Sequence, residues 1–192
     1  MKEKNPYRWF LTSTKKLVTG GKSSTQNDEL LKELKQSKKE YIVMHTSTPG
    51  SPFTVIRAPL KEITKEDLEE TAIFTGCFSR AWKQQKNKVQ VDIFTLSQLY
   101  KTPSMKTGTW GVKGKVEKQT VELKLTLIKQ NNQLRAVPEQ TAKKKDTLLK
   151  IRPGKNDKTN MLAKFQLEIK QPFTQEELLS ALPPGGVMIV RE

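Results

Sequence analysis

The side chains best suited to acid–base or nucleophilic chemistry are scarce in this sequence, which contains one histidine, His45, and one cysteine, Cys77. They fall on different predicted elements, and no serine, cysteine or threonine lies in a nucleophile-elbow or comparable motif. We expect His45 to be a structural residue at the end of an apolar strand, and Cys77 to be a small buried residue. The sequence therefore predicts no catalytic residue, and enzymatic use of His45 is the last of three hypotheses.

Metal and nucleotide cofactors are not predicted either. One cysteine cannot assemble a thiol-based zinc site, and His45 has no carboxylates at a spacing typical of metal ligands. The segment Gly20-Gly21-Lys22-Ser23 has the glycines and the lysine of a phosphate-binding turn but not the spacing of a P-loop. It is either a tight turn or a place where Lys22 and backbone amides contact a phosphate group.

The chain carries 35 Lys and Arg against 20 Asp and Glu, a formal net charge of +15. This charge favours a polyanionic partner, and by itself it leaves nucleic acid, an anionic membrane surface and an acidic protein open. Residues 80–115 hold eight basic residues against one acid, and residues 141–170 hold nine against three. The two stretches are candidate electrostatic footprints.

A basic, glycine-bearing segment lies in the first stretch, from Lys106 to Lys115. Its lysines, flexible glycines and Trp110 could combine phosphate contacts with base stacking, and the alternative is a solvated hairpin with Trp110 in the core. In the second stretch, basic residues either grip a nucleic-acid backbone or form a solvated loop. They are Lys143, Lys144, Lys145, Arg152 and Lys155.

Apolar periodicity and turn signals predict the elements that would position these residues. The helix that begins after Thr64 has a capping-box pattern, with Asp67 three residues after Thr64. The predicted elements of the first two thirds are a hairpin at about 7–19, a helix at 25–36 capped by Ser24, strands at 41–44 and 53–56, a helix from 64 to about 82, and strands at 89–93, 109–112 and 121–127.

Beyond residue 128 the pattern predicts a small β-rich module with one helix. Phe165, Leu167 and Ile169 alternate with polar residues as in a strand, and Thr174 with Glu177 forms a capping box for the helix. A last strand is expected at 187–190, after a proline–glycine turn. The polar stretch from 138 to 147 is a domain boundary, a mobile loop or a hairpin tip.

These elements predict an α+β fold, with a mixed or antiparallel sheet and two to three helices in residues 1–128 and the basic β-rich module in residues 129–192. The N-terminal residues contain no apolar stretch, and no run approaches the roughly 20 apolar residues of a membrane span. With one cysteine, a reducing, cytoplasmic setting without membrane contact is expected.

Five short motifs in a fixed order resemble the RNA-binding domain of the NFACT family. Each motif alone is weak, and their order over residues 7–115 makes the resemblance specific. They are Tyr7-Arg8-Trp9-Phe10-Leu11-Thr12-Ser13, Gly20-Gly21-Lys22-Ser23-Ser24-Thr25-Gln26-Asn27-Asp28, His45 with Gly50-Ser51-Pro52, Ser79-Arg80-Ala81-Trp82, and Lys106-Thr107-Gly108 with Gly114-Lys115.

The resemblance implies an α+β domain that binds RNA, in a family whose long members attach to the large ribosomal subunit and act on stalled nascent chains. Those members also carry an N-terminal NFACT domain, helix-hairpin-helix segments and a coiled coil, so this chain is expected to be a stand-alone version without their tRNA-recruiting and tail-elongating activity. The segment Lys101–Thr107 is shorter than the family's usual run before Lys-Thr-Gly.

The first hypothesis is therefore a non-enzymatic protein that binds structured RNA, namely ribosomal RNA or tRNA. A further expected partner is the large ribosomal subunit, and the expected role is in translation quality control. The second is a basic adaptor that binds DNA or acidic protein without RNA selectivity. Arg80, Lys106 and Lys113 are the preferred phosphate ligands. The full set of predicted RNA-binding residues is Lys22, Arg80, Trp82, Lys83, Lys101, Lys106, Trp110, Lys113, Lys115, Lys143, Lys144, Lys145, Arg152 and Lys155.

Overall fold

The computed structural model describes residues 5–191, which form two main antiparallel sheets, a short two-stranded ribbon and five α-helices. The α+β class predicted from the sequence is confirmed, with three helices in residues 5–128, as expected, and two in the C-terminal part, where one was expected. The first sheet has the order β1-β2-β4-β3-β5-β8. Its strands are β1 (Arg8–Leu11), β2 (Leu17–Gly20), β3 (Ile42–Thr46), β4 (Thr54–Ile56), β5 (Lys88–Thr95) and β8 (Glu117–Glu122).

The second sheet, of order β10-β9-β11-β12, belongs to the C-terminal part of the chain. Two residues, Leu123 and Lys124, separate it from the first sheet, so the predicted single strand at 121–127 is two strands in two sheets. The boundary predicted between 128 and 129 falls inside β9. The strands are β9 (Leu125–Gln130), β10 (Gln133–Val137), β11 (Leu149–Asn156) and β12 (Val187–Val190), and the ribbon pairs β6 (Leu99–Tyr100) with β7 (Gly111–Val112).

Helix α1 (Ser24–Gln36) covers one face of the first sheet. Its N-cap is Ser23, one residue before the predicted cap, and the Ser23 side chain accepts a hydrogen bond from the Gln26 amide. Leu30, Leu31 and Leu34 are buried in a cluster with sheet residues from β3, β4 and β5. This amphipathic spacing explains why the segment is a helix and which side of it meets the sheet.

Helix α2 (Lys65–Cys77) covers the opposite face and begins at the predicted capping box of Thr64 and Asp67. A Cβ on Gly76 would lie 2.7 Å from Val89 Cγ1, so the glycine permits close packing of the helix on the sheet. The helix ends at Cys77 and not near Trp82, because Ser79 starts a separate short helix. In that helix, α3 (Arg80–Lys83), the Ser79 side chain accepts from the Ala81 amide.

The C-terminal part contains two helices, α4 (Leu162–Glu168) and α5 (Gln175–Ala181). The strand predicted at 165–169 is wrong. Phe165 and Ile169 are both buried and lie one helical turn apart, with the Ile169 amide donating to the Phe165 carbonyl, whereas Leu167 is exposed. The Thr174–Glu177 capping box and the last strand are confirmed.

One continuous cluster of buried residues joins the two main sheets, and it includes Phe74 and Trp82 from the first two thirds and Leu125 and Phe165 from the C-terminal part. The two parts therefore share a core. None of the helices formed by residues 5–191 combines the length and the apolar character of a membrane span.

Candidate nucleic-acid interface

A surface groove with a volume of about 640 Å³ brings together segments that are far apart in the sequence. Its walls come from the turn between β2 and α1, the loop between β3 and β4, the start of α3 and the segment before β7. Pro184, which precedes β12, also lines it. Each of the five motifs noted in the sequence contributes to this lining.

The turn between β2 and α1 is built around Gly21 and Asn27. A Cβ on Gly21 would lie 2.2 Å from Asn27 Oδ1, so the turn needs glycine at this position. The same Oδ1 atom accepts a hydrogen bond of 3.1 Å from the Phe53 amide. Asn27 therefore ties the first turn of α1 to the loop between β3 and β4, and these are two adjacent walls of the groove.

Asp28 holds the segment before β7 against α1. Its Oδ1 atom accepts hydrogen bonds from Lys101 Nζ (3.0 Å), the Gly108 amide (3.0 Å) and Trp110 Nε1 (2.8 Å). Burial raises the pKa of Asp28, but the bonds from these donors outweigh it and hold the pKa below its ordinary value. Gly108 has a φ of +78°, and a Cβ there would lie 2.6 Å from Ser24 Cβ, so this contact also requires glycine.

Arg80 is fixed by its backbone and leaves its side chain exposed. The Arg80 amide donates to the Gly50 carbonyl at 2.7 Å, and the Arg80 side chain lies against Gly50, which has a φ of +103°. The loop between β3 and β4 thus supports the guanidinium at the groove. An arginine in this setting can bind a phosphate through two parallel N–H donors.

The groove lining is cationic. Arg8, Lys22, Arg80 and Lys83 line it, with Asp92 as the one acid among the described lining residues. Asp92 is already paired, since its carboxylate accepts from Lys118 Nζ at 2.7 Å and from the Ser47 hydroxyl. The first turn of α1 adds the positive end of a helix dipole.

His45 lies in the groove lining, on the strand position opposite Asp92. Its Nδ1 atom is 2.7 Å from the Thr46 carbonyl oxygen, and its ring packs on Phe53 with the centroids 4.5 Å apart. Burial lowers the pKa of His45 and outweighs the opposing effects of the Thr46 carbonyl and Asp92. The ring is therefore neutral at pH 7.

Four of the predicted RNA-binding residues line the groove: Lys22, Lys83 and Arg80 with exposed side chains, and Trp110 half-buried. Lys106, Lys113 and Lys115 are also exposed. Lys106 directly precedes the lining residue Thr107, and Lys113 directly follows the lining residue Val112, so both lie at the rim.

The structure corrects the prediction for Trp82 and gives Lys101 a structural role. Trp82 is fully buried, and its Nε1 atom donates to the Gly186 carbonyl at 2.8 Å, so no ring face is open to a base. Lys101 bonds Asp28 and the carbonyl oxygens of Lys106 and Thr109. Because an ammonium group has three donors, contact with RNA would require Lys101 to give up one of these bonds.

The basic residues of the C-terminal part lie elsewhere on the molecule. Lys143 precedes a short 3-10 turn that contains Lys144 and Lys145, while Arg152 and Lys155 lie on β11. All five are exposed, and none lines the groove. Their contact with nucleic acid stays a prediction.

Two residues, one in the groove lining and one on the β6–β7 ribbon, were missed in the sequence. Arg8 lines the groove, and its guanidinium lies 4.8 Å from the centre of the Phe78 ring. Burial lowers the pKa of Arg8, but the guanidinium stays charged at neutral pH. Tyr100 on the ribbon is partly exposed and covers Gly111, with Lys113 Nζ 5.0 Å from its ring centre. The Tyr-Arg-Trp-Phe motif was a signal for Arg8, whereas nothing local marked Tyr100.

Within residues 5–191 no group of three or more His, Cys, Asp or Glu side chains is placed to hold a metal ion. Cys77 is buried, and burial raises the pKa of its thiol far above the ordinary value. The thiolate, which is the reactive form, is therefore suppressed.

Three similarities to known proteins bear on this groove. Residues 6–114 match the family model described as the NFACT protein RNA binding domain. The archaeal Rqc2 homolog aRqcH of Methanocaldococcus jannaschii is 30% identical over 191 residues, an alignment that covers 92% of this chain and 28% of the relative. The C-terminal structure of the fibronectin/fibrinogen-binding protein from Streptococcus suis matches with a TM-score of 0.51 and 28% identity, over 64% of this chain and 46% of that one.

Proposed function

The chain belongs to the NFACT RNA-binding domain family, and from this membership we propose that it binds RNA in the groove between α1, the loop between β3 and β4, and α3. One observation carries the proposal. The motifs by which the chain resembles its family converge on this single groove, although they are spread over more than a hundred residues.

The chemistry of the lining supports a phosphate backbone as the occupant. Arg8, Lys22, Arg80 and Lys83 supply cationic donors, and the turn before α1 supplies backbone amides at a positive helix end. Trp110 and Tyr100 present partly exposed aromatic rings, the latter beside Lys113, as base-stacking surfaces do.

We further propose that the RNA is ribosomal RNA or tRNA and that the protein works in ribosome quality control, in association with the large subunit. The similarity to the archaeal Rqc2 homolog supports this step, and the chain spans only 28% of that relative. A non-catalytic role in the cytoplasm belongs to the same proposal. The buried thiol of Cys77 and the neutral, packed His45 are consistent with binding without chemistry.

The test compares two triple variants that remove the same charge. Lys22→Gln/Arg80→Gln/Lys83→Gln neutralises the groove, and Lys143→Gln/Lys144→Gln/Lys145→Gln neutralises the 3-10 turn. Fluorescence anisotropy of a labelled RNA hairpin over a range of salt concentrations measures affinity and its salt dependence. Each lost phosphate contact reduces the log-log salt slope by about 0.7 to 0.9.

We expect the groove variant to lose about two units of that slope and the turn variant much less. An equal loss in both variants would contradict the groove as the site, because it would reflect net charge alone. Tighter binding of an acidic protein or of DNA than of RNA by the unmodified protein would instead favour the adaptor hypothesis.

A further inference from the structure

The backbone of a nucleic acid offers many acceptors and few donors. Phosphate and ring oxygens accept hydrogen bonds, and the ribose 2′-hydroxyl is the one backbone group that can donate. DNA lacks this group. A protein atom that accepts but cannot donate, placed in a phosphate-binding groove, therefore has a partner on RNA that it does not have on DNA.

The Nε2 atom of His45 is such an acceptor. The Thr46 carbonyl oxygen can only accept, so the 2.7 Å contact means that Nδ1 carries the ring proton. In a neutral imidazole the other nitrogen, Nε2, then has a lone pair and no hydrogen. The contact of the ring with Phe53 fixes its orientation.

The Nε2 atom is open to a ligand. No residue in the described range 5–191 hydrogen-bonds it. Among the described residues, the buried side-chain nitrogen and oxygen atoms without a partner are Thr71 Oγ1, Thr126 Oγ1 and Arg135 Nε. The unpaired Nε2 of His45 is not one of them, so solvent reaches it. Because His45 lines the groove, an RNA bound there is the ligand that would reach this atom.

The charged neighbours of His45 leave this role to the histidine. Asp92 lies opposite it on β5 and can only accept, but its charge is compensated by Lys118, and Lys118 and Ser47 both donate to its Oδ1 atom. The groove cations Arg8, Lys22, Arg80 and Lys83 only donate. Burial keeps the pKa of His45 below its ordinary value, which maintains the acceptor form at neutral pH.

We propose that His45 Nε2 accepts a hydrogen bond from the 2′-hydroxyl of a nucleotide whose phosphates are held by the cations of the same groove, and that this bond makes the groove prefer RNA over DNA. The inference rests on the proposed RNA-binding function and extends it to a determinant of sugar selectivity. A neutral hydrogen bond of this kind corresponds to about a 2- to 10-fold difference in affinity.

Two variants separate the ring nitrogens. His45→Asn places its amide near the position of Nδ1, so it can keep the bond to Thr46 while it loses the acceptor at Nε2. His45→Gln is longer and can place its carbonyl oxygen near the position of Nε2. Thermal unfolding of both variants verifies that they are folded before binding is measured.

The probes are a short single-stranded RNA, the same sequence in deoxyribose with deoxyuridine for uridine, and RNAs that each carry one 2′-deoxynucleotide. We expect the unmodified protein to prefer RNA and to lose about 2- to 10-fold in affinity at one deoxy position. His45→Asn should lose the same factor on all-ribose RNA and become insensitive to that position, and His45→Gln should retain part of the sensitivity.

The outcomes separate this inference from the function it rests on. If the unmodified protein binds RNA but binds the deoxyribose probe equally well, or if His45→Asn keeps its sensitivity to the same deoxy position, the role of His45 is refuted and RNA binding stands. If the unmodified protein binds none of the probes or the RNA hairpin at low salt, the proposed function itself fails.

Discussion

Removal of the Asp28 carboxylate should release the segment before β7 from α1. One oxygen of Asp28 accepts from Lys101 Nζ, the Gly108 amide and Trp110 Nε1, and its side chain is 9% exposed. Hydrogen bonds to charged groups contribute about 1.5–3 kcal/mol each. The bonds to Asp28 share one acceptor atom, so their contributions do not add fully. We therefore expect Asp28→Ala to cost about 3–5 kcal/mol, the range for breaking a buried ion pair.

Asp28→Asn is a graded version of the same change. Its carbonyl oxygen can still accept from Gly108 and Trp110, while the charge that pairs with Lys101 is lost. We expect a cost of about 1–2 kcal/mol. Glu29→Ala is the matched control, because Glu29 is the next residue of α1 and is exposed. Its cost should stay within about 0.5 kcal/mol.

Hydrogen exchange of the Gly108 amide is the most direct assay, because that N–H bonds Asp28 itself. Exchange detects local opening of the segment as well as global unfolding, which urea titration reports separately. In Asp28→Ala the free energy of opening measured at this amide should fall by the predicted cost of about 3–5 kcal/mol, or to the value set by global unfolding where that is lower. Unchanged protection in Asp28→Ala would refute the role given to Asp28.

Two further predictions concern the core and the groove. Trp82→Phe removes the indole N–H that donates to the Gly186 carbonyl. It should lower the free energy of unfolding, measured by urea titration, by about 1–3 kcal/mol. The control is Trp9→Phe, at a half-buried ring on β1, which should lower it less. Burial lowers the pKa of His45 in the folded state, so the stabilising contribution of the neutral ring is complete above the ordinary pKa of 6.5. This contribution is lost as the pH falls from 6.5 through the folded-state pKa. Stability measured between pH 7 and pH 5 should therefore decline in the unmodified protein and decline less in His45→Asn, whereas Asp28 and Asp67, whose pKa values lie below 3.8, contribute to the decline only at lower pH.

The order and type of most elements follow from the sequence because local signals decide them. The capping boxes at Thr64 and Thr174 mark helix starts that the structure contains. The alternation of Phe165, Leu167 and Ile169 led to a wrong strand prediction, because Phe165 and Ile169 also fit one face of a helix. Only the tertiary environment, which buries Phe165 and Ile169 and exposes Leu167, distinguishes the two periods.

The groove could be anticipated only in part. Lys22 and Arg80 belong to motifs whose order indicated a shared function, and the structure places them in one lining. Trp82 could not be separated from Trp110 in the sequence, because the partner that buries its indole is the carbonyl of Gly186, about a hundred residues away. The same holds for Lys101, whose ammonium is taken up by Asp28 on a distant helix.

Crosslinking in cells tests the central claim most directly. Ultraviolet irradiation of cells that contain the protein, followed by mass spectrometry of the RNA-linked peptides and sequencing of the attached RNA, locates the contact on both molecules. We predict crosslinks in peptides that contain Lys22, Arg80 and the segment 106–113, attached to ribosomal RNA or tRNA. Crosslinks confined to residues 143–155, or the absence of RNA on the groove peptides, would contradict the account.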